Sequence, residues 1–297
     1  MYPAPFRYHR PDSLQAAVGL LTQYGDDARI MAGGQSVIPM MKLRMGEASE
    51  LIDIGRLPDL SYVKLEGATL KIGALTTHAL IAASEAARTV PLIAEAAGGI
   101  ADRQVRSMGT IGGGLSVADP SGCWPTSLRT LDTLVHVVGP DGSRSIAMVD
   151  FILDTYVTAL RAGELVTAIE VPVPGPGTGS AYVAFKRTAA AYPTVSCGMQ
   201  LTMQGDTCSA ARLALGAAGP TVVVSEEAEA SLVGAAVTVE GLEKAADIII
   251  AAAEPPPDAR GSVAFKRAML KTLVVEAGNR ALARSRGEQV KGGHRYA

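Results

Sequence analysis

Apolar positions along the chain form short runs that alternate between helical and strand-like spacing. Apolar residues recur at helical spacing from Leu14 to Leu21, after a capping Ser13 or Asp12, which predicts an amphipathic helix. Further strands predicted in this half lie over 28–32, 51–54, 61–65, 70–72, 133–138 and 145–148. Further helices are predicted over 37–45 and 92–97, and a third begins after a capping Thr76 or Thr77 and ends at Ala83. This alternation favours an α/β or α+β fold over a β-sandwich.

A proline- and glycine-rich stretch over 172–179 separates this half from a second one. Pro and Gly at this density cannot sustain a helix or a hydrogen-bonded ladder, so the stretch is predicted to be a linker. Beyond it, the pattern predicts strands over 181–187, 196–203 and 210–215 and helices over 242–252 and 265–284. We expect domains at 1–174 and 179–285, followed by a polar tail at 286–297.

Composition narrows the class of protein. Of the 297 residues, 48% are hydrophobic and 19% are charged, with a net charge of -2, which excludes a disordered chain and gives no basic surface for nucleic acid. The three cysteines form no CxxC pair, so neither a zinc ribbon nor an internal iron–sulfur cluster is expected. No apolar run approaches the roughly 20 residues of a membrane helix, and the N-terminus shows no signal-peptide or twin-arginine pattern. We therefore expect a soluble, cytoplasmic protein without a membrane span.

Two glycine clusters could carry chemistry. The first, at 32–36 (AGGQS), lies between a predicted strand and a predicted helix. The second, at 110–114 (TIGGG), follows Arg103 and Arg106. Glycine-rich turns let backbone N–H groups face an anion, so two such loops in one domain suggest a diphosphate held from both sides, as in a dinucleotide. Taken singly, each loop is also typical of an ordinary turn.

Neither loop matches the common nucleotide-binding templates. The chain has no GxxxxGK[ST] sequence, which excludes a P-loop. It also has no GxGxxG opening a βαβ unit with an acidic residue about 20 positions later, so a Rossmann site is unsupported.

Three ordered motifs carry a resemblance to a known family. AGGQSVIPMMKLR (32–44), IGALTTHA (72–79) and ADRQVRSMGTIGGGLSVADP (101–120) resemble the flavin subunit of the molybdenum hydroxylases, the family of xanthine dehydrogenase and carbon monoxide dehydrogenase. The resemblance extends from about residue 3 to about residue 285 and includes AFKR (184–187) and LALGAAGPT (213–221). It implies an FAD-binding domain of the vanillyl-alcohol-oxidase/MurB type with two lobes, approximately 1–55 and 56–174, and a smaller C-terminal domain of sheet and helices.

The resemblance also implies which residues hold FAD between the lobes. The pyrophosphate would be held by Ala32, Gly33, Gly34, Gln35 and Ser36, and by Thr110, Gly112, Gly113 and Gly114. Ile100 and Val166 fall on positions that contact FAD in the family, Lys186 would lie beside the flavin or its phosphates, and Tyr192 would contact the isoalloxazine ring.

The sequence departs from the family at Cys123, where the family commonly has an aspartate that bonds the adenosine part of FAD. Either a backbone group replaces that carboxylate or Asp119 takes its place. Covalent flavoproteins of the wider superfamily attach FAD through histidine or cysteine. Because Gln35 offers no such nucleophile, we expect FAD to be bound non-covalently, with Cys123 as the one thiol near enough to change this.

Other chemistry-bearing side chains have simpler interpretations. His78 is predicted to cap or pack rather than to catalyse, and His136 to be structural. The histidine spacings predict no metal site. Cys197 and Cys208 lie in or beside predicted strands and are expected to be small buried hydrophobes.

The leading hypothesis is an electron-transfer flavoprotein subunit of an oxidoreductase. By resemblance, a large partner would hold the molybdenum cofactor and a small partner two 2Fe-2S clusters, in a dimer of heterotrimers. FAD in this chain would then pass electrons to an external acceptor. One rival is a stand-alone FAD-dependent oxidase or reductase of the same fold. Another is a binding or assembly module that has lost FAD, for which Cys123 is the only support.

Overall fold

The structure is a computed structural model that describes residues 2–46, 48–292 and 295–296. Its first lobe is a small three-stranded parallel sheet in the order β1-β3-β2. Its elements are β1 (Arg7–His9), α1 (Leu14–Tyr24), β2 (Ala28–Met31), α2 (Val37–Lys42) and β3 (Glu50–Asp53). Ser13 begins α1, because its hydroxyl accepts the Ala16 N–H at 3.2 Å, which confirms one of the two predicted caps.

The second lobe is a five-stranded antiparallel sheet in the order β4-β5-β10-β6-β7, covered by short helices. Its strands are β4 (Val63–Glu66), β5 (Thr69–Gly73), β6 (Leu134–Gly139), β7 (Gly142–Ala147), β8 (Ile152–Asp154), β9 (Val157–Thr158) and β10 (Leu165–Pro172), of which β8 and β9 form a separate pair. Its helices are α3 (His78–Ala83), α4 (Glu85–Arg88), α5 (Pro91–Gly99), α6 (Arg103–Met108), α7 (Ile111–Ser116), α8 (Cys123–Arg129) and α9 (Met148–Phe151). Trp124 and Phe151 are the largest apolar side chains buried in its core.

The C-terminal part is a sheet in the order β14-β13-β12-β11-β15 that packs against a long helix. Its elements are β11 (Thr178–Lys186), β12 (Val195–Gln204), β13 (Thr207–Gly216), β14 (Val223–Val224), α10 (Glu226–Ala230), α11 (Val239–Ala251), α12 (Val263–Ser285) and β15 (Arg295–Tyr296). The three predicted strands are the three long ones, and both predicted helices are present.

A buried ionic contact joins the second lobe to the C-terminal part. Glu95 on α5 accepts the Tyr182 N–H of β11 at 2.9 Å and the Arg284 guanidinium of α12 at 2.6 and 3.0 Å. Both side chains are over 90% buried. Removing either partner would leave a buried charge, so this contact holds α12 and β11 in place on α5.

The sequence pattern missed the segment 103–129, where the structure has α6, α7 and α8. The second glycine cluster lies inside α7, although each glycine disfavours a helix by about 1 kcal/mol relative to alanine. Thr110 caps this helix by accepting the Gly113 N–H at 3.2 Å. Tertiary packing, which the local pattern does not report, therefore overrides a low helix propensity here.

Among the described residues, none of the helices combines the length and the apolar character needed to span a bilayer.

Candidate functional site

All fourteen predicted cofactor-binding residues line one or both of two neighbouring cavities. The first cavity has a volume of about 330 Å³ and the second about 310 Å³. The first contains Ala32, Gly33, Gly34, Gln35, Ser36, Ile100, Thr110, Gly113, Gly114, Asp119, Lys186 and Tyr192. The second contains Gly112 and Val166, and shares Ala32, Ser36 and Gly113 with the first. Both glycine clusters thus contribute to both cavities, and all three parts of the fold line the first cavity, whereas the second is lined by the two lobes.

The first glycine loop, residues 32–36, offers free backbone donors. Among the described residues, no group accepts a hydrogen bond from the N–H groups of residues 33–37. Gly34 has a φ of +73°, a conformation that glycine adopts without steric cost. A Cβ on Gly33 would lie 1.9 Å from the Met108 carbonyl oxygen, so only glycine allows the two loops to approach this closely. Several N–H groups without a protein partner are what a bound diphosphate requires.

In the second glycine loop, residues 110–114, four of the five backbone N–H groups are bonded within the protein, and only that of Thr110 has no acceptor among the described residues. The N–H groups of residues 111 and 112 donate to Thr76 O at 3.1 Å and Ala74 O at 2.9 Å, and those of 113 and 114 donate to Thr110. A Cβ on Gly112 would lie 2.6 Å from the Ala74 Cβ, and one on Gly114 would lie 3.0 Å from Trp124. Glycine is needed here so that helix α7 can pack tightly against β5 and α8.

Lys186 is a fully buried cation on the wall of the first cavity. Its Nζ donates to the Gly99 carbonyl oxygen. Burial lowers the pKa of Lys186, opposed by the nearby Cys123 thiol and reinforced by Arg106. Cys123 is itself buried, and burial raises the pKa of its thiol against the opposing effect of Lys186. A buried ammonium held only by a carbonyl leaves positive charge available to an anionic group in the cavity.

Asp119 and Tyr192 lie together on another wall of the first cavity. Asp119 accepts the Ser121 N–H at 2.8 Å and the Tyr156 hydroxyl at 3.3 Å. Partial burial, followed by the Asp119 carboxylate, raises the pKa of Tyr192 to about 12, so its phenol stays protonated at neutral pH. Asp119 and Cys123 both line the first cavity with Lys186, whereas Val166 lines the second. Asp119 therefore lies in the same cavity as Lys186 and not in the cavity of Val166. The adenosine contact expected of Asp119 stays a prediction.

His78 and Trp124 support the second loop from behind. The His78 Nδ1 accepts the Trp124 Nε1–H at 3.2 Å, and the imidazole lies against Gly109 and Gly114. Burial, followed by the charge of Arg106, lowers the pKa of His78 to about 4, so the ring is neutral at physiological pH. The prediction that His78 packs is confirmed. No pattern in the sequence links it to a tryptophan 46 positions away.

The two arginines before the second loop differ. Arg106 donates through Nη1 to the carbonyl oxygens of Ile100 and Ala101, at 2.8 and 2.9 Å, while Arg103 is exposed. The sequence named Ile100 but missed Ala101, which also lines the first cavity and has a φ of +41°.

The remaining histidine and cysteine predictions concern residues outside both cavities. His136 bonds Glu170 at 3.1 Å and Ser145 at 2.9 Å on the second-lobe sheet. Cys197 and Cys208 are buried, as predicted.

Comparison with known proteins decides the family. Residues 4–174 match the FAD-binding domain in molybdopterin dehydrogenase, and residues 180–281 match the C-terminal domain of the CO dehydrogenase flavoprotein. The chain belongs to the FAD-binding medium subunits of the molybdenum hydroxylases.

Similarity to individual members of this family extends over almost the whole chain. The carbon monoxide dehydrogenase medium chain of Afipia carboxidovorans is 40% identical over 287 residues, which are 96% of this chain and 100% of that one. The 6-hydroxypseudooxynicotine dehydrogenase complex subunit alpha of Paenarthrobacter nicotinovorans is 34% identical and covers 96% of this chain and 97% of its own. In structure, the chain matches carbon monoxide dehydrogenase from Hydrogenophaga pseudoflava with a TM-score of 0.93 and 42% identity, over 96% and 99% of the two chains.

These matches confirm the predicted family, the α+β fold with a two-lobed FAD-binding domain, FAD as cofactor, and the class of oxidoreductase subunit. The residues of this FAD-binding subunit also fit the cofactor. The N–H groups of residues 33–37 have no partner among the described residues and could bind a diphosphate, and Ala32 and Ser36 of this loop line both cavities.

Proposed function

We propose that this chain receives electrons from iron–sulfur clusters of a partner subunit and passes them through FAD to an external acceptor. A large partner would hold the molybdenum cofactor and oxidise the substrate, a small partner would hold two 2Fe-2S clusters, and the complex would be a dimer of heterotrimers in the cytoplasm. The observation that carries the proposal is the first glycine loop, whose free N–H groups lie between two cavities. The relatives named as medium or complex subunits support the division of labour.

The FAD-binding domain would span residues 1–174, with lobes at about 1–55 and 56–174, and the C-terminal domain 179–285, with a tail at 286–297. The N–H groups of the first loop would bind the pyrophosphate. Gly112 and Val166 line the second cavity, which would hold the adenosine. Because Asp119 lines the first cavity, a backbone group rather than Asp119 would then replace the family's aspartate. The first cavity would hold the isoalloxazine beside Ile100, Lys186 and Tyr192.

FAD, when bound, supplies a group that accepts and releases electrons singly or in pairs. The chain's own residues orient it and set the charge around it. Lys186 would place a buried positive charge near the ring or its phosphates, which stabilises negative charge there because little water screens the interaction. Tyr192 keeps its proton at neutral pH and can contact the ring as a neutral donor.

Attachment of FAD would be non-covalent. Gln35, at the position in the first loop where a covalent link would require histidine or cysteine, carries an amide that donates to Gly33 O at 3.2 Å. The buried Cys123 thiol lines the first cavity, but its raised pKa keeps it protonated and therefore weakly nucleophilic. Release of the flavin by denaturation with acid would test this directly, since covalently attached flavin stays with the precipitate.

The substrate would be chosen by the large partner. Medium subunits that are 33–40% identical to this chain serve enzymes named for carbon monoxide, glyceraldehyde and nicotine. Similar flavin subunits therefore accompany very different substrates, and the residues of this chain do not select among them.

The decisive experiment purifies the chain in complex with the molybdenum and iron–sulfur subunits of the same organism. We expect one FAD per copy of this chain, and bleaching of the flavin absorption band when an oxidisable compound from a panel of carbon monoxide, glyceraldehyde and nicotine is added without oxygen. The same panel should leave FAD oxidised when it is mixed with this chain alone. A purified complex without flavin on this chain would contradict the proposal.

The same comparison separates the rival function. A stand-alone oxidase or reductase would bleach its flavin in the absence of both partners. A module that has lost FAD would contain no flavin in either preparation.

A further inference from the structure

Two cations hold a short turn on the wall of the first cavity, the turn formed by Gly99, Ile100 and Ala101. Lys186 Nζ donates to the Gly99 carbonyl oxygen. Arg106 Nη1 donates to both of the next two carbonyl oxygens, at 2.8 and 2.9 Å. Three consecutive carbonyl groups are therefore bound by positively charged donors, an arrangement that restricts every peptide of the turn.

The turn has an unusual backbone conformation. Ala101 has a φ of +41°, in the left-handed region that residues with a Cβ seldom adopt. Such a conformation persists when the surroundings over-determine it, and it is concentrated at functional sites. The two bonds from Arg106 bracket Ala101, since one is to the carbonyl before it and the other to its own, so they supply that constraint.

The same bonds orient an amide group. Arg106 does not line the first cavity, whereas Ile100 and Ala101 do, so the carbonyl that binds Arg106 points away from the cavity. In a trans peptide the N–H points opposite to the carbonyl. The Ala101 N–H therefore points away from Arg106, and Ala101 itself lines the cavity. No group of the described residues accepts a hydrogen bond from this N–H.

Neither cation that binds the turn forms an ion pair with a carboxylate of the described residues. In the part of the chain that the structure describes, Lys186 and Arg106 bond only to carbonyl oxygens. Asp102, the acidic residue closest to Arg106 in the chain, instead accepts the Val105 N–H at 2.9 Å and caps α6. Arg106 also lowers the pKa of both His78 and Lys186, which indicates that its charge is felt inside the cavity.

We propose that Arg106 is a positioning residue for the flavin, which acts through the Gly99–Ala101 turn. It directs the Ala101 N–H to the isoalloxazine, and together with Lys186 it favours the reduced, more negatively charged cofactor. This inference rests on the proposed location of the isoalloxazine in the first cavity. It assigns a role to a residue that would not itself touch FAD.

The test compares three variants of the purified complex: Arg106→Gln, Arg106→Lys and, as a matched control, Arg103→Gln. Arg103 lies on the same helix and carries the same charge, but it is exposed and does not hold the turn. Flavin content, the visible flavin spectrum and the flavin midpoint potential are measured by spectroelectrochemistry, so that the readout does not depend on turnover.

We expect Arg106→Gln to reduce the ratio of reduced to oxidised flavin by about tenfold at the wild-type midpoint potential, because a positive charge bonded to the wall of the first cavity is lost. Its flavin spectrum should shift as the Ala101 N–H loses its orientation. Arg106→Lys should restore part of the potential, and Arg103→Gln should match the wild type.

An Arg106→Gln complex with the wild-type potential and spectrum would overturn the proposal. If this variant does not assemble, it is combined with Ala101→Gly, because glycine adopts the positive φ without the penalty that Arg106 offsets. Failure of the double variant to assemble as well would show a purely structural role and would also overturn it. A wild-type complex whose FAD is not reduced by substrate would instead contradict the proposed function.

Discussion

The two glycine loops are both rich in glycine and lie against each other, yet they use glycine for different purposes. In the first loop, residues 32–36, the backbone N–H groups have no partner among the described residues, and Gly33 allows close contact with the Met108 backbone. In the second, the N–H groups of residues 111–114 are bonded within the protein, and glycine makes room for Ala74 and Trp124. The first loop is therefore suited to bind an anion, and the second is suited to hold the first loop and helix α7 in position.

This contrast is tested most severely at Gly33. Gly33→Ala would place its Cβ 1.9 Å from the Met108 carbonyl oxygen, so the first loop must move away from the second. Losing two N–H bonds to a charged phosphate should weaken FAD binding on the order of 100-fold. Flavin retention by the complex during dialysis measures this. Gly19→Ala is the matched control, because nothing lies within 4 Å of the added Cβ in helix α1, and FAD retention at wild-type level is expected.

The corresponding change in the second loop should act on stability. Gly112→Ala would place its Cβ 2.6 Å from the Ala74 Cβ and 2.8 Å from the Ala74 carbonyl oxygen. We expect the free energy of unfolding to fall by about 1–3 kcal/mol through overpacking, and FAD affinity to change less than in Gly33→Ala. Denaturant unfolding and flavin titration of the same preparations check both. The contrast between the loops would be wrong if Gly112→Ala lost FAD without losing stability.

Between the two loops, only the second is supported by a histidine, so its packing should make the free energy of unfolding depend on pH. His78 has its pKa lowered to about 4 from 6.5, mainly by burial, so the unfolded chain takes up its proton first as pH falls. Its contribution to stability is complete above pH 6.5 and is lost towards pH 4, with a slope of at most about 1.4 kcal/mol per pH unit.

His78→Asn offers the measurement, since an amide oxygen can replace Nδ1 as the acceptor for Trp124. Unfolding free energies of wild type and variant, measured from pH 7 down to about pH 4, should converge as the wild type loses this contribution. Parallel curves would show that His78 does not titrate as its burial implies.

The smallest effect is expected from the cap of α7. Thr110→Val removes the hydroxyl that accepts the Gly113 N–H, which should cost about 1 kcal/mol, while Thr110→Ser keeps the cap. Thermal unfolding of the two variants measures the difference. Equal melting temperatures would indicate that Gly113 finds another acceptor and that the loop is held by packing alone.

Much of the cavity lining could be predicted because most of the predicted residues lie in contiguous motifs. Residues 32–36 and 110–114 are read directly from the sequence, and the three long strands of the C-terminal part follow from their apolar runs. Ala101 and Trp124 are missed by the sequence, and Arg106 is indicated only by its closeness to the second loop. Arg106 contacts a turn, Ala101 lines a cavity and Trp124 bonds to a histidine. The local spacing of apolar and polar residues does not predict such contacts.

The sequence by itself determined the family, the FAD cofactor and the two loops, since motif order and residue type are properties of the chain. Only the tertiary structure decided which loop keeps its N–H groups free. A glycine-rich segment has the same local preferences whether it binds a ligand or packs against a neighbour. The difference arises because Ala74, the residue after β5, supplies its carbonyl oxygen to the second loop, while no element of the described fold supplies an acceptor to the first.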